Sequence, residues 1–284
     1  MKHVVLVACL FLSLFTIAQS NQKSLLWKIE GKGLQQPSYL FGTIHLICPT
    51  QLKIDSAIVQ GLRSTKQLYL ELDMDDPGVM VEMQQYMMMK DTAGWKQYLT
   101  AEQYQIVCDS LKAKTGMNGA LLNRFKPFMV MSMVMPKLLP CAAPASWEGT
   151  LMTYAKKNKQ EVKGLETVAR QMQAVNAMSD KETAQQLYSL VTNTDSSSKA
   201  FTQLMNVYLA KDVEAMQAIT QQQSNSTFEK ELLVKRNEEW VPLIENIAKE
   251  NATFFAVGAA HLGGQKGVIA LLKAKGYKVT PIVY

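Results

Sequence analysis

The chain has 284 residues, 48% of them hydrophobic and 19% charged, with 15 glycines and 9 prolines, a composition that excludes disordered and fibrous proteins. Its length suffices to bury a substantial core without staples. The formal charge of +6 is spread along the chain, and the densest basic run, Lys156-Lys157-Asn158-Lys159, ends a predicted helix where cations suit the helix dipole, so nucleic acid is not implied as a partner.

Residues 1–20, MKHVVLVACLFLSLFTIAQS, have a basic start at Lys2, an apolar run from Val4 to Ala18 and small residues at Ala18 and Ser20. This is the pattern of a cleaved secretory signal, which predicts an exported protein, periplasmic or extracellular, with residues 21–284 as a single domain. No later segment has the roughly 20 apolar residues of a membrane span, so no integral membrane segment is expected after cleavage.

Residues 25–30 and 38–43 read as a hairpin around Gly31-Lys32-Gly33, and Asp55 caps a predicted helix over 56–64. The run Gln67 to Asp73 reads as a buried strand with Glu71 near its end, completing a β-α-β unit. A mostly helical insertion over roughly 77–250 follows, with Thr100 capping 101–114, Ser146 capping 147–157, Asp195-Ser196-Ser197-Ser198 as a loop or cap, and an amphipathic stretch from Phe228 to Lys249 interrupted by Pro242. One strand, 161–165, breaks it and leads into Glu166. A second β-α-β unit closes the chain: strand 253–258, helix 267–275, strand 277–283. The predicted fold class is therefore α/β, or α+β, with one sheet assembled from both ends of the chain. Methionines at 80, 83 and 87, and at 129, 131, 133 and 135, suit core packing or an adaptable apolar surface.

Beyond residue 20 three cysteines remain, at spacings that match no zinc motif. Cys48 and Cys141 lie in proline-containing, loop-like segments and Cys108 lies in a helical pattern, which predicts a Cys48–Cys141 disulfide with Cys108 buried.

Two histidines remain beyond the predicted signal, and both stand three residues after a glycine at the end of an apolar strand: Gly42-Thr43-Ile44-His45 and Gly258-Ala259-Ala260-His261. Glycine makes up only 15 of 284 residues, so the repeated spacing is informative. Open α/β sheets present ligand sites at the carboxyl ends of their strands. Four such ends are predicted to supply His45, Glu71, Glu166 and His261 to one cleft. Two imidazoles with one or two carboxylates suit Zn, Mn, Fe or Co better than Ca or Mg. Arg236, taken alone, reads as a helix-surface residue paired with Glu231 or Glu239.

The segments SYLFGTIHL, LELD, GLET, RNEEW and FFAVGAAHLGG, in that order, resemble those of the TraB/PrgY/GumN family, to which the animal Tiki metalloproteases also belong. Carried over by motif, the resemblance marks His45, His261, Glu71, Glu166 and the pair Arg236-Asn237, and it implies a divalent-metal peptidase acting on a peptide or protein substrate. On this reading His45, His261 and one carboxylate, with Glu71 favoured, hold a Mn, Co or Zn ion. The other carboxylate is the general base, Arg236 stabilises the developing oxyanion, and Asn237 orients substrate or a carboxylate. The sequence has no Gly-x-Ser-x-Gly elbow, His-Glu-x-x-His helix, P-loop or dinucleotide fingerprint, so serine hydrolase, zincin and nucleotide-binding readings are set aside. A non-catalytic binder of haem, metal or peptide is the remaining alternative.

Overall fold

The structure, a computed structural model, describes residues 22–223 and 226–284; the predicted signal segment lies outside the described residues. Six strands form one mixed sheet: β1 (Leu26–Glu30), β2 (Ser38–Thr43), β3 (Gln67–Leu70), β4 (Glu161–Gly164), β5 (Thr253–Gly258) and β6 (Lys278–Pro281). Their spatial order is β4-β3-β5-β2-β1-β6. The strands β4, β3, β5 and β2 run parallel to one another, and β1 runs antiparallel to both of its neighbours, β2 and β6. The central strand β5 is buried along almost its whole length, which accounts for its unbroken apolar run.

The two terminal β-α-β units interleave rather than lie side by side. Strand β5 inserts between β2 and β3, and Thr43 is the register partner of Gly258. The two Gly-x-x-His motifs therefore leave the sheet from adjacent parallel strands. The Ser56–Arg63 helix is capped by Asp55, whose carboxylate accepts from the Ala57 N–H at 2.8 Å. The sheet packs through Phe41, Phe254, Phe255 and Val257 into a core that also takes in Trp147, Trp240 and Ile244. A separate apolar cluster, with Trp95, Val107, Leu111, Val130, Val134 and Leu187, joins the helices Ala101–Thr115, Pro127–Val134 and Asp180–Thr192.

The bridge between Cys48 and Cys141 is formed, with Cα atoms 5.8 Å apart. Three details differ from the sequence expectations. Pro242 lies inside the Lys235–Glu250 helix without interrupting it, because burial of Trp240, Val241, Ile244 and Ala248 along one face outweighs one lost backbone bond. Asp195 to Ser198 are helical, in the first turns of Thr194–Leu209, where Asp195 suits the positive end of the helix dipole. The Cys108 thiol is half-buried rather than buried.

Candidate functional site

The parallel strand ends set the site. Glu71 is the first residue after β3, Glu166 lies two residues after β4, His45 two after β2 and His261 three after β5. Backbone bonds extend the β3–β4 pairing past the strands, from Leu165 N to Leu70 O at 2.9 Å and from Glu166 N to Glu71 O at 3.0 Å. The sheet order thus aligns Glu166, Glu71, His261 and His45 along one edge. Both motif glycines have steric reasons to be glycine. A Cβ on Gly42 would lie 3.0 Å from the Ala259 Cβ, and one on Gly258 would lie 3.3 Å from Glu71 Oε1.

The Lys235–Glu250 helix covers this edge and delivers Arg236, Asn237 and Trp240. A π-turn, Glu229–Val234, precedes it, and the Leu232 carbonyl accepts from Arg236 Nη1 at 2.9 Å. The guanidinium is the hub. Its Nη2 donates to Glu71 Oε2 at 2.5 Å and to Glu166 Oε1 at 2.7 Å, while Nε donates to the Glu166 carboxylate at 3.1 and 3.2 Å. It also stacks over the Trp240 ring at 4.6 Å. The local pairing expected of Arg236 is therefore not formed: Glu239 binds Arg170 and Glu231 binds Lys235. The Arg236 side chain is only 5% exposed, and its partners lie 165 and 70 residues away in sequence.

Hydrogen bonding assigns the tautomer of His261. Asn237 Nδ2 donates to the Lys266 carbonyl at 2.9 Å, which leaves Asn237 Oδ1 as the acceptor for His261 Nδ1 at 2.7 Å. The ring is therefore protonated at Nδ1, and Nε2 carries a lone pair that faces Arg236 Nη1 at 3.2 Å and lies 3.8 Å from Glu71 Oε1. Burial pushes the His261 imidazole down to about 3, so it is neutral at physiological pH. Burial alone would raise Glu71, but Arg236 and the Gly258 N–H, which donates to Oε1 at 2.8 Å, hold it well below the usual carboxylate range. Glu166 moves the other way, raised by burial more than Arg236 lowers it. Gln171 Nε2 bridges the two carboxylates, at 3.3 Å from Glu71 and 3.1 Å from Glu166.

His45 sits at the rim with its side chain 69% exposed. Its Nδ1 pairs at 2.9 Å with Glu148 Oε1, and this hydrogen bond pushes the imidazole up to about 9; the charges of Glu71 and Arg236 also reach it. Thr43 Oγ1 donates to the same Glu148 oxygen at 2.7 Å. Glu148 lies in the first turn of the Trp147–Lys157 helix, and the sequence motifs do not single it out. Ser146 two residues earlier, which caps that helix, gave no hint of a partner at His45.

Among the described residues no three His, Cys, Asp or Glu side chains are grouped as metal ligands. The donor types nonetheless suit a divalent ion. A neutral imidazole lone pair, which here faces the Arg236 Nη1 donor at 3.2 Å and would have to turn from it to a metal, stands 3.8 Å from an ionised carboxylate, close to the roughly 3.4 Å expected between two ligands each about 2.1 Å from zinc. Glu71 and Glu166 face one guanidinium, so the inner site holds one more carboxylate than cation.

Parallel strands that end in two imidazoles and two carboxylates, with a helix that brings Arg-Asn to them, define a mixed α/β protein with a charged site at the carboxyl edge of its sheet. The chain matches the model of the TraB/PrgY/gumN family over residues 25–281 and belongs to that family. No curated protein and no solved structure matches it.

Proposed function

We propose that the protein is an exported, metal-dependent hydrolase acting on peptide bonds. The observation that carries this reading is the unbalanced carboxylate beside the neutral His261 imidazole, a buried negative site next to an unprotonated nitrogen. His261, Glu71 and His45 would hold the ion, His45 only after giving up the proton that its pairing with Glu148 favours. When bound, a Zn, Mn or Co ion supplies a water of lowered pKa and polarises the scissile carbonyl. Glu71 stays ionised and so is suited to face a cation. Glu166, raised by burial, is suited to take a proton and pass it to the leaving amine. Arg236 neutralises one carboxylate and keeps both oriented; Asn237 fixes the His261 ring. Export is supported by the signal-like residues 1–20 and by the Cys48–Cys141 bridge, which belongs to an oxidising compartment.

The test is peptide hydrolysis and metal content of the purified protein before and after chelation, alongside His45→Ala and His261→Ala. Activity restored by Zn, Mn or Co, and lost together with metal in both variants, is the expected result. Glu166→Gln should keep metal and lose roughly 10²–10⁴-fold in turnover. A chelated protein that cleaves as fast as the loaded one overturns the metal reading.

A further inference from the structure

We propose that Glu148 is the positioning residue of His45, fixing the ring through Nδ1 so that Nε2 is its one nitrogen open to a ligand; this rests on the hydrolase reading of the same site. Four observations converge on it. Glu148 Oε1 accepts from both Thr43 Oγ1 and His45 Nδ1, so two residues of one motif segment are tied to one carboxylate oxygen. The other oxygen, Oε2, is buried with no hydrogen-bond partner among the described residues. Burying an unpartnered carboxylate oxygen is costly and contributes nothing to packing that an apolar side chain would not supply. An ion pair kept only for surface solubility would not carry that cost.

The two segments are also fastened to each other close to the pair. Ile47 and Ala145 exchange backbone bonds, Ile47 N to Ala145 O at 3.0 Å and Ala145 N to Ile47 O at 2.8 Å. One residue beyond Ile47, Cys48 is bonded to Cys141. The loop that carries His45 is thereby locked to the segment that leads into Glu148. Finally, the arrangement repeats the one at His261, where the side-chain oxygen of Asn237 holds Nδ1 and leaves Nε2 free of a proton. Both motif histidines are thus gripped at the same ring nitrogen by a side-chain oxygen from the first turn of a covering helix. Such outer partners orient metal-binding imidazoles, and their loss typically costs about 10–100-fold in affinity or activity.

The experiment uses the ¹⁵N-labelled mature protein and reads ring N–H protons by NMR. A His45→Gln variant assigns the His45 signal, which is simple because the mature chain has only two histidines. A hydrogen-bonded Nδ1–H gives a slowly exchanging, strongly downfield proton, whereas a ring free in solvent exchanges its proton too fast to observe. This signal is expected in the wild type and in Glu148→Gln, whose amide oxygen still accepts, and it should vanish in Glu148→Ala with the backbone spectrum preserved. Glu148→Leu fills the same space without an acceptor and replaces the alanine variant if that does not fold. Titration with zinc chloride should show affinity about 10–100-fold weaker in Glu148→Ala and near wild type in Glu148→Gln. A wild type without the His45 signal, a signal that survives in Glu148→Ala or Glu148→Leu, or equal losses in the glutamine and alanine variants overturns the proposal. If the wild type binds no zinc, the metal reading fails, and the ring proton still decides whether Glu148 positions His45.

Discussion

Replacing Arg236 by methionine removes the cation that, among the described residues, is bonded to both Glu71 and Glu166, whose side chains are only 11% and 3% exposed. Removing one member of a buried, hydrogen-bonded charge cluster typically costs about 3–5 kcal/mol, because the remaining charges stay desolvated. The cost depends on pH with a definite sign. In the wild type, Arg236 holds Glu71 below its unfolded value, so that contribution is present above about pH 4.5 and is lost as pH falls through the folded value. In Arg236→Met Glu166 loses its counter-charge and Glu71 keeps only the Gly258 N–H and the more distant His45, so burial shifts both carboxyls upward and the variant loses stability as pH rises from about 4.5. The gap between wild type and variant therefore widens toward neutrality. Urea unfolding of both proteins at about pH 5 and about pH 7.5 measures it, with the larger gap at the higher pH. Adding Glu166→Gln to Arg236→Met removes one of the two unpaired carboxylates and should recover part of the loss. A gap below about 1 kcal/mol, or one equal at the two pH values, would refute the claim that the guanidinium balances the buried carboxylates.

Two further outcomes follow from other parts of the fold. The Cys48–Cys141 bridge spans 93 residues, so the double serine variant should lose about 4–5 kcal/mol in the chain-entropy account, read from denaturant unfolding without reductant; a loss under about 1 kcal/mol would show that the closed loop is already confined in the unfolded chain. Asp73 is pushed up to about 6, by burial first and then by Asp75, so its folded form binds more protons than its unfolded form between about pH 4 and 6 and stability falls as pH rises through that window. Asp73→Asn should remove this slope in thermal melts across the same range, and an unchanged slope would assign it to another group.

The sheet was legible because it depends on short-range patterns: β1, β2, β5 and the capped helices at 56, 101 and 147 lie within a few residues of where alternation, apolar runs and cap residues put them. The strand ends were legible for the same reason, and with them His45, Glu71, Glu166 and His261. The interleaving of β5 between β2 and β3 was not, since two similar β-α-β units pair equally well side by side as far as local pattern can tell. The strand predicted over 67–73 is shorter in the structure: β3 ends at Leu70, Glu71 keeps only the backbone bond from Glu166 N, and Asp73 turns back so that a Cβ on Gly164 would meet its backbone N at 2.7 Å.

Arg236 shows where the boundary of sequence reasoning lies. Its helical neighbours Glu231 and Glu239 invited a local pairing, yet exposed pairs of that kind contribute only about 0.2–0.5 kcal/mol. Arg236, Trp240, Ile244 and Ala248 recur every four residues, so they share one face, and that face carries the apolar residues of the helix. The spacing alone therefore puts the guanidinium inside, where a lone charge is untenable and a carboxylate from elsewhere in the chain is required. The need for a distant partner was in the pattern; its identity, set by which helix face meets which strand end, was not. Glu148 lacks even that first signal. It stands beside Trp147 on a helix whose buried positions, Trp147, Leu151 and Ala155, leave it at the border of the apolar face, and an acid in a first helical turn already has a sufficient local reason to be there. Only the antiparallel bridge from Ile47 to Ala145 and the disulfide beside it bring that acid to His45, and both are contacts nearly a hundred residues apart in sequence.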